Sequence, residues 1–207
     1  MTKHLYLTAI TGPDVNNGPG IRLTLWFQGC NHKCPGCHNQ HTHPYVDESS
    51  QSRMRTRFIQ VCNDNNELNP ELVEILSKKL SATNPDGSFV YTGITLSGGD
   101  PLQQSETAIN ELYILLSYIY KERLDLSVWA YTGYTFEELQ SIDYIYKFLK
   151  DSCINVLIDG RFIQKLRPTD GDEIAKLKWR GSTNQRIIDL HKSLIADEPV
   201  VLADEYV

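Results

Sequence analysis

Hydrophobic and polar positions alternate most clearly between Ile21 and Phe27, where Ile21, Leu23, Leu25 and Phe27 interleave with Arg22, Thr24 and Trp26. A period of two marks a strand with two unlike faces, and this one runs straight into Gly29-Cys30. Leu72, Val73, Leu76 and Leu80 recur at helical spacing behind Asn69-Pro70, an N-cap followed by proline at the first helical position. The turn Asn84-Pro85-Asp86-Gly87 ends that unit. A short strand from Gly93 to Ser97 leads into Gly98-Gly99-Asp100-Pro101. From about Ser105 a helix places Ile109, Leu112, Leu116 and Ile119 on one face, and Leu126 to Thr132 reads as a further strand. Thr135-Phe136-Glu137-Glu138 is a capping box opening a helix that carries Leu139, Ile142 and Leu149. Ile154 to Ile158 is another short apolar strand, ending at Asp159-Gly160. The stretch from Val46 to Asn66 is polar without a strong period and reads as a loop or loosely helical insertion, and Asp170 to Glu173 reads as a solvated turn.

Strands alternating with helices of this length predict βαβ units and a mainly parallel α/β sheet. Sheets of that kind place ligand sites at the carboxyl ends of their strands. The loop after Cys30, the turn Gly98-Gly99-Asp100, the segment Tyr131-Thr132-Gly133 and Asp159-Gly160 all fall at such ends. These four features are expected to meet on one rim. No internal repeat or long low-complexity segment is evident.

The chain of 207 residues is 41% hydrophobic, enough for one core of ordinary size, and a single domain over residues 1–207 is the expectation. Lys plus Arg total 20 against 26 for Asp plus Glu, a net charge of −6. That balance argues against a nucleic-acid partner, which calls for a clustered basic face. No run approaches the roughly 20 apolar residues of a membrane helix, and Met1 to Ile10 lacks the pattern of a signal peptide. The expected location is therefore the cytosol, where thiols stay reduced. Three of the five cysteines sit within eight residues, and in a reducing compartment that points to metal or cluster ligation rather than disulfides.

The loop reads Cys30-Asn31-His32-Lys33-Cys34-Pro35-Gly36-Cys37, a Cys-x3-Cys-x2-Cys spacing. Soft, anionic thiolates suit iron–sulfur clusters. Three such ligands on a four-iron cluster leave one iron open, as catalytic metal sites leave a position open. The competing reading is a zinc site completed by His32 or His38, with His41 or His43 at a greater distance. Zinc knuckles use paired ligand sets, and a second cysteine pair is missing here. A ferredoxin would need four cysteines per cluster. Cys62 and Cys153 read as ordinary free thiols.

Further motifs follow in order. Gly18-Pro19-Gly20-Ile21-Arg22 and Phe27-Gln28-Gly29-Cys30 precede the loop, and Cys37-His38-Asn39 ends it. Leu96-Ser97-Gly98-Gly99-Asp100-Pro101-Leu102, Trp129-Ala130-Tyr131-Thr132-Gly133-Tyr134, Val156-Leu157-Ile158-Asp159-Gly160-Arg161-Phe162 and Trp179-Arg180-Gly181-Ser182-Thr183-Asn184-Gln185 come after it. Together, over about Asn17 to Arg186, the set resembles the radical S-adenosylmethionine superfamily. Within it the glycyl-radical activases are most similar, in particular those serving anaerobic ribonucleoside-triphosphate reductases.

The resemblance implies a single domain whose mainly parallel sheet forms a partial (β/α) barrel. It implies a 4Fe-4S cluster on Cys30, Cys34 and Cys37, whose open iron chelates the amino and carboxylate groups of S-adenosylmethionine. The cluster, charged by an external one-electron reductant, passes an electron to the sulfonium. Methionine and a 5′-deoxyadenosyl radical result, and the radical takes a hydrogen atom from a glycine of the reductase's glycyl-radical subunit. Ser97, Gly98, Gly99 and Asp100 are expected at the cofactor's ammonium group, because two glycines allow close backbone approach and Asp100 or nearby carbonyls can accept hydrogen bonds. The wider superfamily often has Glu where Asp100 stands. Gly36 departs from the aromatic residue common before the third cysteine, which leaves backbone groups of Gly36, Cys37 and His38 for the adenine edge. Tyr131, Thr132 and Asp159 are candidate pocket residues. An activase of pyruvate formate-lyase shares the early motifs and is the second enzyme reading; a zinc-stabilised binding module is the reading from another class.

Overall fold

The computed structural model describes residues 3–46 and 57–202. Its strands are β1 (Tyr6–Asp14), β2 (Arg22–Phe27), β3 (Ile59–Gln60), β4 (Gly93–Gly98), β5 (Ser127–Tyr131), β6 (Val156–Asp159) and β7 (Arg186–Asp189). They form one seven-stranded sheet in the order β3-β1-β2-β4-β5-β6-β7. The core β2-β4-β5-β6 is parallel, as the alternation of strands and helices predicts. Its margins are antiparallel, with β1 pairing β2 and β3 on one side and β7 pairing β6 on the other. The sheet is thus mixed, with a parallel centre.

The helices among the described residues are α1 (Pro70–Leu80), α2 (Glu106–Glu122), α3 (Phe136–Gln140), α4 (Asp143–Asp151), α5 (Gly171–Leu177) and α6 (Leu190–Ala196). Asn69 caps α1 by accepting from the Glu71 amide, and Ser105 caps α2 by accepting from Ala108. The Thr135 capping box is present with Glu138 as its acidic member.

The period-two pattern sorts the sheet's faces. Leu23, Leu25, Phe27, Ile94, Leu96, Val128, Ala130 and Leu157 bury against α1 to α4 in the main core. The opposite face is more polar, with a small cluster of Trp129, Val156, Ile158 and Ile187. Arg22 is wholly buried there. Its guanidinium donates to Thr95 Oγ1 (2.7 Å), the Pro19 carbonyl (3.2 Å), Ser127 Oγ (2.9 Å) and the carbonyls of Ile94 (2.6 Å) and Ser127 (2.8 Å). It also lies 5.4 Å from the Trp129 ring centroid. A side chain at Gly18 would press on the Arg22 stem at 2.9 Å, so the Gly18–Arg22 motif is a seat for a buried cation.

Several expectations need correction. The helix expected to run from Thr135 through Leu149 is two helices, broken at Ile142, whose φ of −111° and ψ of 96° are extended. Asp170 to Glu173 is not a free turn. Asp170 caps α5, accepting from the amides of Asp172 and Glu173. Of the polar insertion at Val46–Asn66, residues 47–56 lie outside the described residues. Its later part is ordered on the sheet, with β3 on the edge of β1 and Cys62 bridged to Leu68. Strands β1, β3 and β7 have no counterpart among the elements the sequence pattern predicts.

Candidate functional site

The parallel register brings the carboxyl ends of four strands level. Phe27 pairs with Gly98, Leu96 with Ala130, and Tyr131 with Ile158. The loops leaving β2, β4, β5 and β6 therefore start from one rim, where sheets of this kind carry their sites.

The cysteine loop is closed at its base by backbone bonds. The amide of Gly29 donates to the Thr42 carbonyl (2.8 Å) and that of Cys30 to the His43 carbonyl (2.9 Å). Gln28 Nε2 adds a bond to the Pro44 carbonyl (2.7 Å). Gly29 has a φ of +104°, and a Cβ there would come within 2.5 Å of the Tyr45 ring. Tyr45 in turn donates to the Gln103 carbonyl (2.6 Å).

The turn after β4 is stitched to this base. The Gly99 amide donates to the Phe27 carbonyl (2.8 Å) and the Asp100 amide to the Gly29 carbonyl (3.0 Å). Gly98 has a φ of +100°, and a Cβ on Gly99 would sit 2.5 Å from the Gly29 oxygen. Both glycines are thus required by backbone shape and by close approach.

Asp100 is buried and its carboxylate is fully engaged. Oδ2 accepts from His32 Nε2 (2.8 Å), Thr132 Oγ1 (3.0 Å) and the Gly133 amide (2.8 Å). Oδ1 accepts from the amides of Leu102 (2.8 Å) and Gln103 (3.2 Å).

A cavity of about 120 Å³ brings together Cys30, Cys34, Cys37, Gly98, Gly99, Asp100, Tyr131 and Thr132. His32, His43, Gly133, Gly160, Phe162 and Gln185 complete its wall. Gly36, His38, Ser97 and Asp159 do not line it. Gly36 stands on the outer side of the loop with a φ of +74°, where a Cβ would be 2.8 Å from Gln164. His38 is exposed, with its ring 5.8 Å from that of Phe162 and its Nε2 3.2 Å from Arg167 Nη1. Ser97 is buried at the end of β4. Asp159 lines a neighbouring cavity of about 630 Å³ that shares His32, Cys34, Gly160 and Phe162 with the first. Its carboxylate accepts from the Phe136 amide (2.8 Å) and Arg186 Nε (3.0 Å), bracing α3 against β7.

Gly133 belongs to the Tyr131–Gly133 strand end expected at the rim, and the structure places it there. Gln103 lies outside every sequence motif, Phe162 and Gln185 lie inside theirs without a separate signal, and the sequence points to His32 only as a zinc ligand. No local signal connects His32 to an aspartate 68 positions away.

Burial pushes the Cys30 thiol up to about 12, with the Asp100 carboxylate adding to the effect, and burial also raises Cys34. Such thiols give up their protons when a metal centre takes the charge. The donor set fits a four-iron cluster. The cavity offers three thiols, while Cys62 lies in the main core and Cys153 packs against it near the Leu116 carbonyl. Among the described residues no three His, Cys, Asp or Glu side chains close on one metal-ion position. Cys30, Cys34 and Cys37 would each hold one iron of such a cluster and would leave the fourth without a protein ligand.

Comparison with known proteins agrees. The family model for the 4Fe-4S single cluster domain matches residues 16–188. The anaerobic ribonucleoside-triphosphate reductase-activating protein of Escherichia coli (strain K12) is 34% identical over 172 residues, covering 83% of this chain and 90% of that protein. The protein of that name from Vibrio cholerae is 33% identical, covering 84% and 91%, and the one from Enterobacteria phage T4 is 31% identical, covering 84% and 87%. No described helix is long and apolar enough to cross a membrane. With a 4Fe-4S domain over most of its length and relatives of this identity and coverage, the chain belongs to the family of anaerobic ribonucleoside-triphosphate reductase-activating proteins.

Proposed function

We propose that this chain holds a 4Fe-4S cluster on Cys30, Cys34 and Cys37, cleaves S-adenosylmethionine reductively, and places a glycyl radical on an anaerobic ribonucleoside-triphosphate reductase. The observation that carries the reading is the convergence of the three thiols with the Gly98-Gly99-Asp100 turn in one rim cavity. When bound, the cluster supplies one electron, taken from an external reductant, to the sulfonium of the cofactor. The protein's share is placement. The two glycines bring backbone carbonyls close to the space before the thiols, where they can receive an ammonium group. Of the Gly36–His38 segment Cys37 lines the cavity, so the backbone around it is the candidate for an adenine edge, and Tyr131 and Thr132 line the same cavity. Burial of Cys30 and the flanking Phe162 limit water at the reacting centre. We read the sheet as the partial (β/α) barrel of this superfamily, its open rim facing the partner's glycine. The similarity to reductase activases, and the motifs after Ser97, favour this partner over a pyruvate formate-lyase.

The test is anaerobic loading with iron and sulfide, then mixing of reduced protein and S-adenosylmethionine with each candidate partner. A glycyl-radical doublet in the electron paramagnetic resonance (EPR) spectrum is expected on the reductase. A doublet on the lyase alone would reject the partner assignment, and a colourless protein holding stoichiometric zinc would reject the cluster.

A further inference from the structure

His32 lies between the first two cysteines, yet its side chain is only 4% exposed. It sits in a made seat. Nε2 is 2.8 Å from Asp100 Oδ2, the ring meets Tyr134 edge-on with centroids 4.8 Å apart, and Gln103 Nε2 lies 3.4 Å from Nδ1. The carbonyl arm of that same Gln103 side chain accepts from the Asn31 amide, next to His32. Below the ring is Gly133. Its φ is not in the left-handed region, so the backbone would accept any residue there, but a Cβ would drive into the His32 imidazole. The glycine is explained by the histidine alone.

Asp100 is the hub of this seat. It joins His32 on the cysteine loop to Thr132 and Gly133 after β5, while its other oxygen holds the first turn beyond Gly99. With five donors on two oxygens, the carboxylate is saturated by the protein. Its geometry serves the scaffold, and an ammonium group in the cavity is left to backbone carbonyls.

We propose that His32 is a positioning residue that acts through Asp100. The pair locks the Cys30–Cys34 arm to the ends of β4 and β5, so that thiols and glycine turn keep a fixed mutual placement. This deepens the reading above and rests on it, since the placement matters for a cluster and a cofactor that must meet.

The variants His32→Ala, His32→Gln, Asp100→Asn, Gly133→Ala and the pair His32→Ala/Asp100→Asn test this. In the metal-free wild type, the His32 ring proton on Nε2 is expected as a slowly exchanging, downfield nuclear magnetic resonance signal that disappears in Asp100→Asn. A fast-exchanging ring proton in the wild type would overturn the proposal, with or without a cluster. In loaded protein, the affinity for S-adenosylmethionine is read from its effect on the EPR signal of the reduced cluster. His32→Ala and Gly133→Ala should each weaken it about tenfold, the size of one buried, charge-assisted hydrogen bond. His32→Gln, whose amide can still donate, should recover most of the loss. Asp100→Asn should add little once His32 is gone. If it weakens binding equally in both backgrounds, Asp100 acts independently of His32 and the proposal fails. A wild type that takes up four irons but shows no response to S-adenosylmethionine would sink the underlying function instead, leaving the ring-proton result to judge the clamp.

Discussion

Replacing Arg22 by Met removes a buried cation while nearly keeping its length. The guanidinium, carried on β2, makes five hydrogen bonds to neutral acceptors on β4, β5 and the Gly18–Gly20 turn. At about 1.5 kcal/mol for each bond from a charged donor, the gross loss is about 7 kcal/mol. Burial itself is costly, however, and pulls Arg22 down from 12.5 to about 10. That cost is about 3 kcal/mol, and the substitution gives it back. The net loss is then about 4 kcal/mol, in the range seen when one partner leaves a buried network. For a chain of this size that lowers the melting temperature by about 8 to 16 °C. Thermal unfolding of the metal-free protein, followed by circular dichroism with thiols kept reduced, measures it. Arg22→Lys keeps the charge but offers three donors without the planar fork, and should lose about half as much. A melting temperature for Arg22→Met within about 2 °C of wild type would refute the reasoning, because the acceptors would then be satisfied without Arg22.

Replacing Cys30, Cys34 or Cys37 by Ala should abolish iron retention, while Cys62→Ala and Cys153→Ala keep it; iron and sulfide assays after anaerobic loading decide. Thr135→Ala removes the capping box at α3 and should cost about 1 kcal/mol in urea unfolding. The Arg186 guanidinium holds the Glu137 carboxyl at about 2 against its ordinary 4.5. A carboxylate lowered on folding stabilises above its unfolded value and loses that contribution as pH falls, here from about 4.5 toward 2. Glu137 is half exposed, so solvent screening keeps the contribution small. Glu137→Gln should flatten the stability profile of the metal-free protein in that window; an unchanged slope would show that other carboxylates set it.

The alternation at Ile21–Phe27 and the helical spacing behind Asn69 and Ser105 made the central elements legible, since those patterns match surfaces buried in the main core. The elements that escaped have weak local signals. β1 contains Gly12-Pro13, a turn signature, and its pairing with β2 shifts register twice. β7 has only four residues, Arg186-Ile-Ile-Asp189, too few to show a period. The break at Ile142 is hidden because Leu139, Ile142 and Leu149 fit helical spacing, yet Ile142 is extended and a new helix begins at Asp143. At the site, the cysteine spacing and the two glycines carried their meaning locally. The engagement of Asp100 did not, because His32, Thr132 and Gly133 come from distant loops. A sequence shows that an aspartate is present, and only the fold shows how many donors already occupy it.

The clasp at the base of the cysteine loop contains no sulfur. Amides of Gly29 and Cys30 reach across to Thr42 and His43, and Gln28 reaches Pro44. In small zinc-dependent modules the metal is the fold, and its removal unfolds the chain. Here the loop is tied off by peptide groups whose bonds survive whatever happens to the irons. On the proposed reading, oxidative loss of a cluster would leave these bonds in place, and the emptied loop is expected to take up iron and sulfide again without a new round of folding.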